Sequence, residues 1–138
     1  MRISEHSKNI LVKEFETVIA KIKTLDGLSE KLYYFSGIYA LLQRIYNLEY
    51  NTDLVYAHFI LRSTHETFIQ RLRAIQTGDT TIPLTQELSD KLVKLTQELG
   101  EKIKNNDDID DTLKKFVILS FLTSGNGYYL WQKEKFDI

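Results

Sequence analysis

Residues 51–77 read NTDLVYAHFILRSTHETFIQRLRAIQT, the longest unbroken helical pattern in the chain. Asn51 or Thr52 is placed to cap its start, because a short side-chain oxygen accepts a bond from an otherwise unpaired backbone N–H. Asp53 follows in the first turn, where a negative charge suits the helix dipole. Thr77-Gly78 closes the element, and Gly78 is free to take a left-handed C-cap conformation. At about 100° per residue, Leu54, Ala57, Leu61, Phe68, Leu72 and Ile75 share one face. Val55, Phe59 and Ile69 lie beside it, and Tyr56, Ile60 and Ala74 fall on the far side. A helix apolar on more than one face is buried between neighbours or used at a subunit interface.

The same stretch holds three of the five arginines and two of the three histidines. His58, Arg62, His65 and Glu66 are spaced to form a ribbon along one side of the helix, and Arg73 continues it. One reading is an anion site, with Arg62 and Arg73 as fixed charges and the histidines as adjustable donors. The other is a row of ion pairs at the edge of a packed helix, Glu66 with Arg62 or Arg73. The ion-pair edge is the commoner arrangement and the favoured one.

Outward from this helix, Leu11, Phe15, Val18, Ile22 and Leu25 step by fours and threes. They predict an amphipathic helix from Ser4 or Ser7 to Thr24, ended by Asp26-Gly27. Asp26 or Ser29 is the expected cap of a second helix running to about Tyr50. Its broad apolar face is Leu32, Phe35, Ile38, Tyr39, Leu42, Ile45 and Tyr46, extended by Tyr34, Leu41 and Leu48. Arg44 is its lone strong cation and joins the candidate anion-site residues. The turn into residues 51–77 is short, so these two helices form an antiparallel hairpin and the inner pair.

Gly78 to Leu84 is the clearest loop. Thr85 is the expected cap of a fourth helix through about Lys104, whose stripe Leu88, Leu92, Leu95, Leu99 and Ile103 is narrow enough for a peripheral helix. Asp107 or Asp108 then caps a fifth. Its segment Phe116–Leu122 is apolar all round, which predicts burial. Beyond it, either the helix continues through Ser124–Gly127 or it breaks before Tyr128–Trp131; continuation or a kink is the favoured reading. The fold class is therefore all-α, an up-down antiparallel bundle of four to five helices in one domain, residues 1–138.

Composition removes whole classes of chemistry. The absence of cysteine excludes disulfides and thiolate catalysis. Eighteen basic against 19 acidic residues provide no field to gather nucleic acid. The longest apolar run is too short to cross a bilayer. No signal-peptide core opens the chain, so a cytoplasmic location is expected. No histidine has a glutamate three residues before it, as di-iron bundles require. His65-Glu66 lacks the second histidine of a zinc helix. The aspartates at 107–111 lack the glycine and distal glutamate of a calcium loop, so no metal is expected. Arg62 precedes His65 by three residues, where bundle ribonucleases of the HEPN type need four to six.

Thr77-Gly78-Asp79-Thr80-Thr81 is similar to the Thr-Gly-Asp-x-Gly-x-Thr loop with which cobalamin adenosyltransferases hold ATP phosphates. The length and helical layout of most of the chain resemble a small archaeal, Thermoplasma-type family of unknown function grouped with that fold. The resemblance implies a flattened four-helix bundle able to trimerise. The loop's second glycine and following basic residue are missing, it lies mid-chain, and the Arg-x-x-Asp catalytic helix motif is absent. The fold is what carries over, and not the reaction.

Two functions follow as expectations. The first is a homo-oligomeric structural or interaction module, supported by surplus apolar faces. The second is an anionic small-molecule or nucleotide binder, or an enzyme, using Arg62 with Arg44, Arg73, His58 or His65. No cofactor is indicated.

Overall fold

The computed structural model describes residues 3–78 and 86–124. They form α1 (Glu5–Thr24), α2 (Leu28–Leu48), α3 (Thr52–Gln76), α4 (Gln86–Lys104) and α5 (Asp110–Ser124), with no strand among the described residues. The expected Thr85 cap, the Asp79–Thr81 part of the loop and residues 125–131 beyond Ser124 lie outside the described residues.

Local chemistry explains most of the boundaries. Ser4 is extended, and its side chain accepts from the Ser7 N–H to open α1. The Asn51 side chain accepts from the Leu54 N–H and opens α3. Gly78 ends that helix at φ +101°, the left-handed region that costs glycine nothing. Asn106 plays the same part after α4 at φ +58°. The Asp107 N–H then reaches back to the Lys102 carbonyl and the Asn106 N–H to that of Ile103, which gives a Schellman motif. Asp108 accepts from the Asp110 N–H at 2.9 Å, one turn of chain ahead of α5.

Two expectations are corrected. The N-cap of α2 is Gly27, with no side-chain cap bond, in place of Asp26 or Ser29. That helix stops at Leu48, and Leu48 is 92% exposed instead of extending the apolar face.

Each helix packs on two others: α1 on α2 and α4, α3 on α2 and α5, and α4 on α5. The five therefore close a ring around one core, with Phe15, Phe35, Phe68 and Phe116 at its centre. Within that ring the α2–α3 seam is the most extensive and the two seams of α4 are the least extensive, the order expected of an inner pair and a peripheral fourth helix. Its five stripe residues are all buried. Pairing across the ring is antiparallel where contacts orient it. Ser4 and Ser7 at the start of α1 meet Glu49 just past the end of α2. Tyr46 meets His58, and Tyr39 meets His65. Glu16 meets Lys104, while Ile22 lines a groove with Asp90. The five-residue connection 105–109 turns α5 back on α4. An odd ring cannot alternate throughout, so α3 and α5 run the same way. Thr64 and Ser120 join them by a 3.0 Å hydroxyl bond.

Candidate functional site

The polar ribbon of α3 and one edge of α2 enclose an open cleft of about 670 Å³. Of the five expected residues, His58, Arg62, His65 and Arg73 line it, and Arg44 does not. Arg44 is exposed on α2 outside the cleft. Tyr39 and Gln43 of α2 and Gln70 of α3 complete the polar lining. The sequence pattern of α3 alone could not nominate the α2 residues. Their inclusion depends on the rotation of one helix against the other.

His58 is 2% exposed. Its Nδ1 lies 2.8 Å from the Tyr39 carbonyl oxygen, which can only accept, so Nδ1 carries the proton. The ring sits edge-on to Tyr39, Tyr46 and Phe59. This histidine clamps α3 to the backbone of α2.

His65 stacks on Phe35 with its ring plane 6° away, and Tyr39 stands edge-on to it. Burial lowers the imidazole pKa below its ordinary value. A bond to the Leu32 backbone and the Glu66 charge oppose that shift without reversing it. The neutral ring accepts a long bond, 3.5 Å, from the Tyr39 hydroxyl at Nδ1. Burial raises the Tyr39 pKa, with Arg62 pulling it down and Glu66 pushing it up. Tyr39 is thus held as a phenol and His65 as a neutral acceptor.

Arg62 is paired with Glu66, Nε to Oε1 at 3.4 Å, with both side chains more than half exposed. An exposed i,i+4 pair of this kind contributes only about 0.3–0.5 kcal/mol. Arg73 is exposed at the other end of the cleft and makes no ion pair among the described residues. The helical rise places its Cα about 16 Å from that of Arg62.

The ribbon therefore divides. His58 bonds to the backbone of α2, and Arg62 pairs with Glu66 at the exposed edge of the helix. Arg73, with Gln70 one turn before it on α3, lines the cleft without an ion pair among the described residues. No group of three or more metal-ligating side chains occurs among the described residues. No described helix is long and apolar enough to cross a membrane.

A second surface was not singled out by the pattern. Phe59 of α3 is 59% exposed and Phe121 of α5 is 46% exposed. They flank a groove of about 180 Å³ floored by Ile60, Val117, Ser63 and Ser120. The burial expected all round Phe116–Leu122 fails at Phe121. Comparison with family models, curated proteins and solved structures found no match.

Proposed function

We propose that this chain is an interaction module that self-associates through the α3–α5 face. The observation that carries the reading is the pair of exposed phenylalanines, Phe59 and Phe121, on either side of an apolar groove. Tyr56, 53% exposed, stands one turn from Phe59 on the same helix. None of the groove residues is charged. Adjacent exposed aromatics leave apolar area in water at about 25 cal/mol per Å², and such patches mark interfaces. A projecting phenylalanine beside a recess of its own size is self-complementary under a two-fold axis. A formal net charge of −1 adds little repulsion between copies.

Light scattering on the eluting protein tests this. The expected mass lies above the 16.2 kDa of one chain and falls on dilution. A monomer at high micromolar concentration rules the reading out. So does a Phe59→Ser variant that folds and keeps the wild-type mass.

A second reading is favoured by Arg73: an anionic small molecule bound in the α2–α3 cleft. Thermal unfolding against ATP with magnesium, other nucleotides, a corrinoid and simple phosphates addresses it. ATP and the corrinoid belong in the panel because of the adenosyltransferase-like resemblance. A ligand at a hundred times its Kd adds about 2.7 kcal/mol, a shift of several degrees for a domain of this size. The shift should vanish in Arg73→Ala. A cytoplasmic location and an archaeal origin belong to this proposal as expectations from the sequence.

A further inference from the structure

Lys31 of α2 is 7% exposed, the most buried cation of the described residues together with Arg71. Its backbone N–H bonds to the Gly27 carbonyl at 3.1 Å, and its side chain makes no hydrogen bond or ion pair among the described residues. It lines a groove of about 300 Å³ between α1, α2 and α4, with Lys23, Lys94, Gln97 and Asp90 around it and Ile22 and Val93 as its floor. Three ammonium groups face one carboxylate, which leaves two positive charges. Asp90 is further engaged by the Gln86 side-chain amide at 2.8 Å. A lysine stem lying under apolar side chains with its ammonium reaching the groove presents that charge to whatever enters.

The groove continues into another. Lys23 and Gln97 also line a channel of about 400 Å³ along the α1–α4 seam, with Val12, Phe15, Ile19 and Ala20 as its apolar wall and Glu16, Glu101 and Lys104 as its charged side chains. Gly100 lets the two helices approach closely there. Lys104 and Glu16, 3.7 Å apart, bridge α1 and α4 at that channel. A cationic groove with an apolar channel attached describes an amphiphile by its two chemistries.

We infer that this continuous groove binds the phosphate monoester of an apolar alcohol, its dianionic head on Lys23, Lys31 and Lys94 and its hydrocarbon body on Val12, Phe15, Ile19 and Ala20. The site shares no lining residue with the α2–α3 cleft, and it does not depend on self-association. Charge selects the head: at its end of the groove three lysines stand against Asp90, which favours an anion over a neutral alcohol. Apolar area selects the body: each buried methylene strengthens binding by about fourfold, the equivalent of 0.8 kcal/mol.

The test is isothermal titration of the full chain with inorganic phosphate, hexyl phosphate and hexanol at constant ionic strength. Hexyl phosphate is expected to bind saturably with one site per chain, at least about tenfold tighter than inorganic phosphate, and hexanol not at all. Lys31→Met keeps the buried stem and removes the charge, and it should weaken hexyl phosphate by at least about tenfold. Lys94→Gln, at an exposed position that cannot unfold the core, should weaken it in the same direction. Lys13→Gln, an exposed lysine of α1 outside both the groove and the α2–α3 cleft, should bind as wild type does. Equal affinity for inorganic phosphate and hexyl phosphate overturns the amphiphile. Absence of saturable binding, or full binding by both lysine variants, overturns the site.

Discussion

His65 shows how little of a residue's chemistry is set by its type. Its ring is neutral because it is stacked on Phe35 and lies beside Tyr39, with burial outweighing the Leu32 bond and the Glu66 charge. The sign of the consequence is fixed by linkage. An unfolded histidine titrates near 6.5, and the folded one below that. Above pH 6.5 both states are neutral, and the contribution of the neutral ring is complete. As pH falls through the lowered folded value, the unfolded chain gains its proton first and that contribution is lost. Melting temperature against pH should therefore fall below about pH 6.5 more steeply in wild type than in His65→Gln. Superimposable profiles would show that the ring is not desolvated. Gly100 is constrained by shape instead. A Cβ there would stand 3.0 Å from Phe15 Cδ1 and 3.2 Å from Phe15 Cβ. Phe15 is 1% exposed and cannot swing aside, and its own Cβ moves only with α1. Alanine would gain about 1 kcal/mol of helix propensity against an overpacking cost of about 1–3 kcal/mol. Gly100→Ala should lose about 1 kcal/mol net in a denaturant titration, and a stabilised variant would mean the α1–α4 seam is looser than the structure shows.

At the scale of the element, what was legible in the sequence was what one helix determines alone. Ser4, Asn51 and Gly78 sit where local backbone valences need them, so α1 and α3 could be bounded to a residue or two. The stripes of α1 and α4 are one-sided, and one-sided stripes are buried whichever partner covers them. The rest depended on partners. Leu48 sits on the expected face of α2, yet that face runs past the end of its neighbour and the side chain is left in water. Phe121 belongs to an apolar run, but α3 and α4 cover only part of the circumference of α5. Lys31 has no apolar signature, and its burial comes from α1 and α4 closing over it. The candidate cleft was half legible: the α3 ribbon could be seen, while its Tyr39–Gln43 wall could not. One element contact was invisible for the same reason. Glu49, just past α2, accepts from the Ser4 N–H at 2.6 Å, the Ser4 hydroxyl at 2.9 Å and the Ser7 hydroxyl at 2.8 Å. It caps α1 from 45 residues away. The Ser7 bond, then the two Ser4 bonds, hold its carboxyl below the ordinary 4.5, slightly opposed by burial. The stabilisation is present above pH 4.5 and is lost as pH falls through the lowered folded value. Glu49→Ala should lower the melting temperature at neutral pH and speed amide exchange in the first turn of α1. Exchange that speeds equally in all five helices would show that Glu49 supports the whole fold and not that terminus.

For the molecule as a whole, the closed ring makes a demand that no single helix makes. Five helices joined side by side leave no pair that can separate without breaking two seams. Polar clips hold seams that apolar packing alone would let slide. Glu98 of α4 accepts from Thr112 at 2.8 Å and from Lys115 at 3.0 Å on α5. Burial pushes its carboxyl pKa up, and the Lys115 and Thr112 bonds with the Lys115 and Lys102 charges bring it below the ordinary value. The Thr64–Ser120 bond does the same work across the parallel α3–α5 seam. Phe35 is the side chain through which these seams communicate. It is fully buried on α2, stacks on His65 of α3 and lies 6.2 Å from the ring of Phe116 on α5. Truncation to alanine removes contacts from α2 to both α3 and α5 at once, and the ring cannot collapse onto the void without opening another seam. Phe35→Ala should therefore cost about 3–5 kcal/mol, a large part of the 5–15 kcal/mol typical of a domain. Because every seam is shared, the loss should appear as one transition. Far-ultraviolet helix signal and tyrosine fluorescence should shift to lower denaturant together, with an unchanged slope. If helix signal outlasts the fluorescence change, or the slope falls, then α1 and α4 unfold apart from α2, α3 and α5, and the ring is two packed units meeting at an interface.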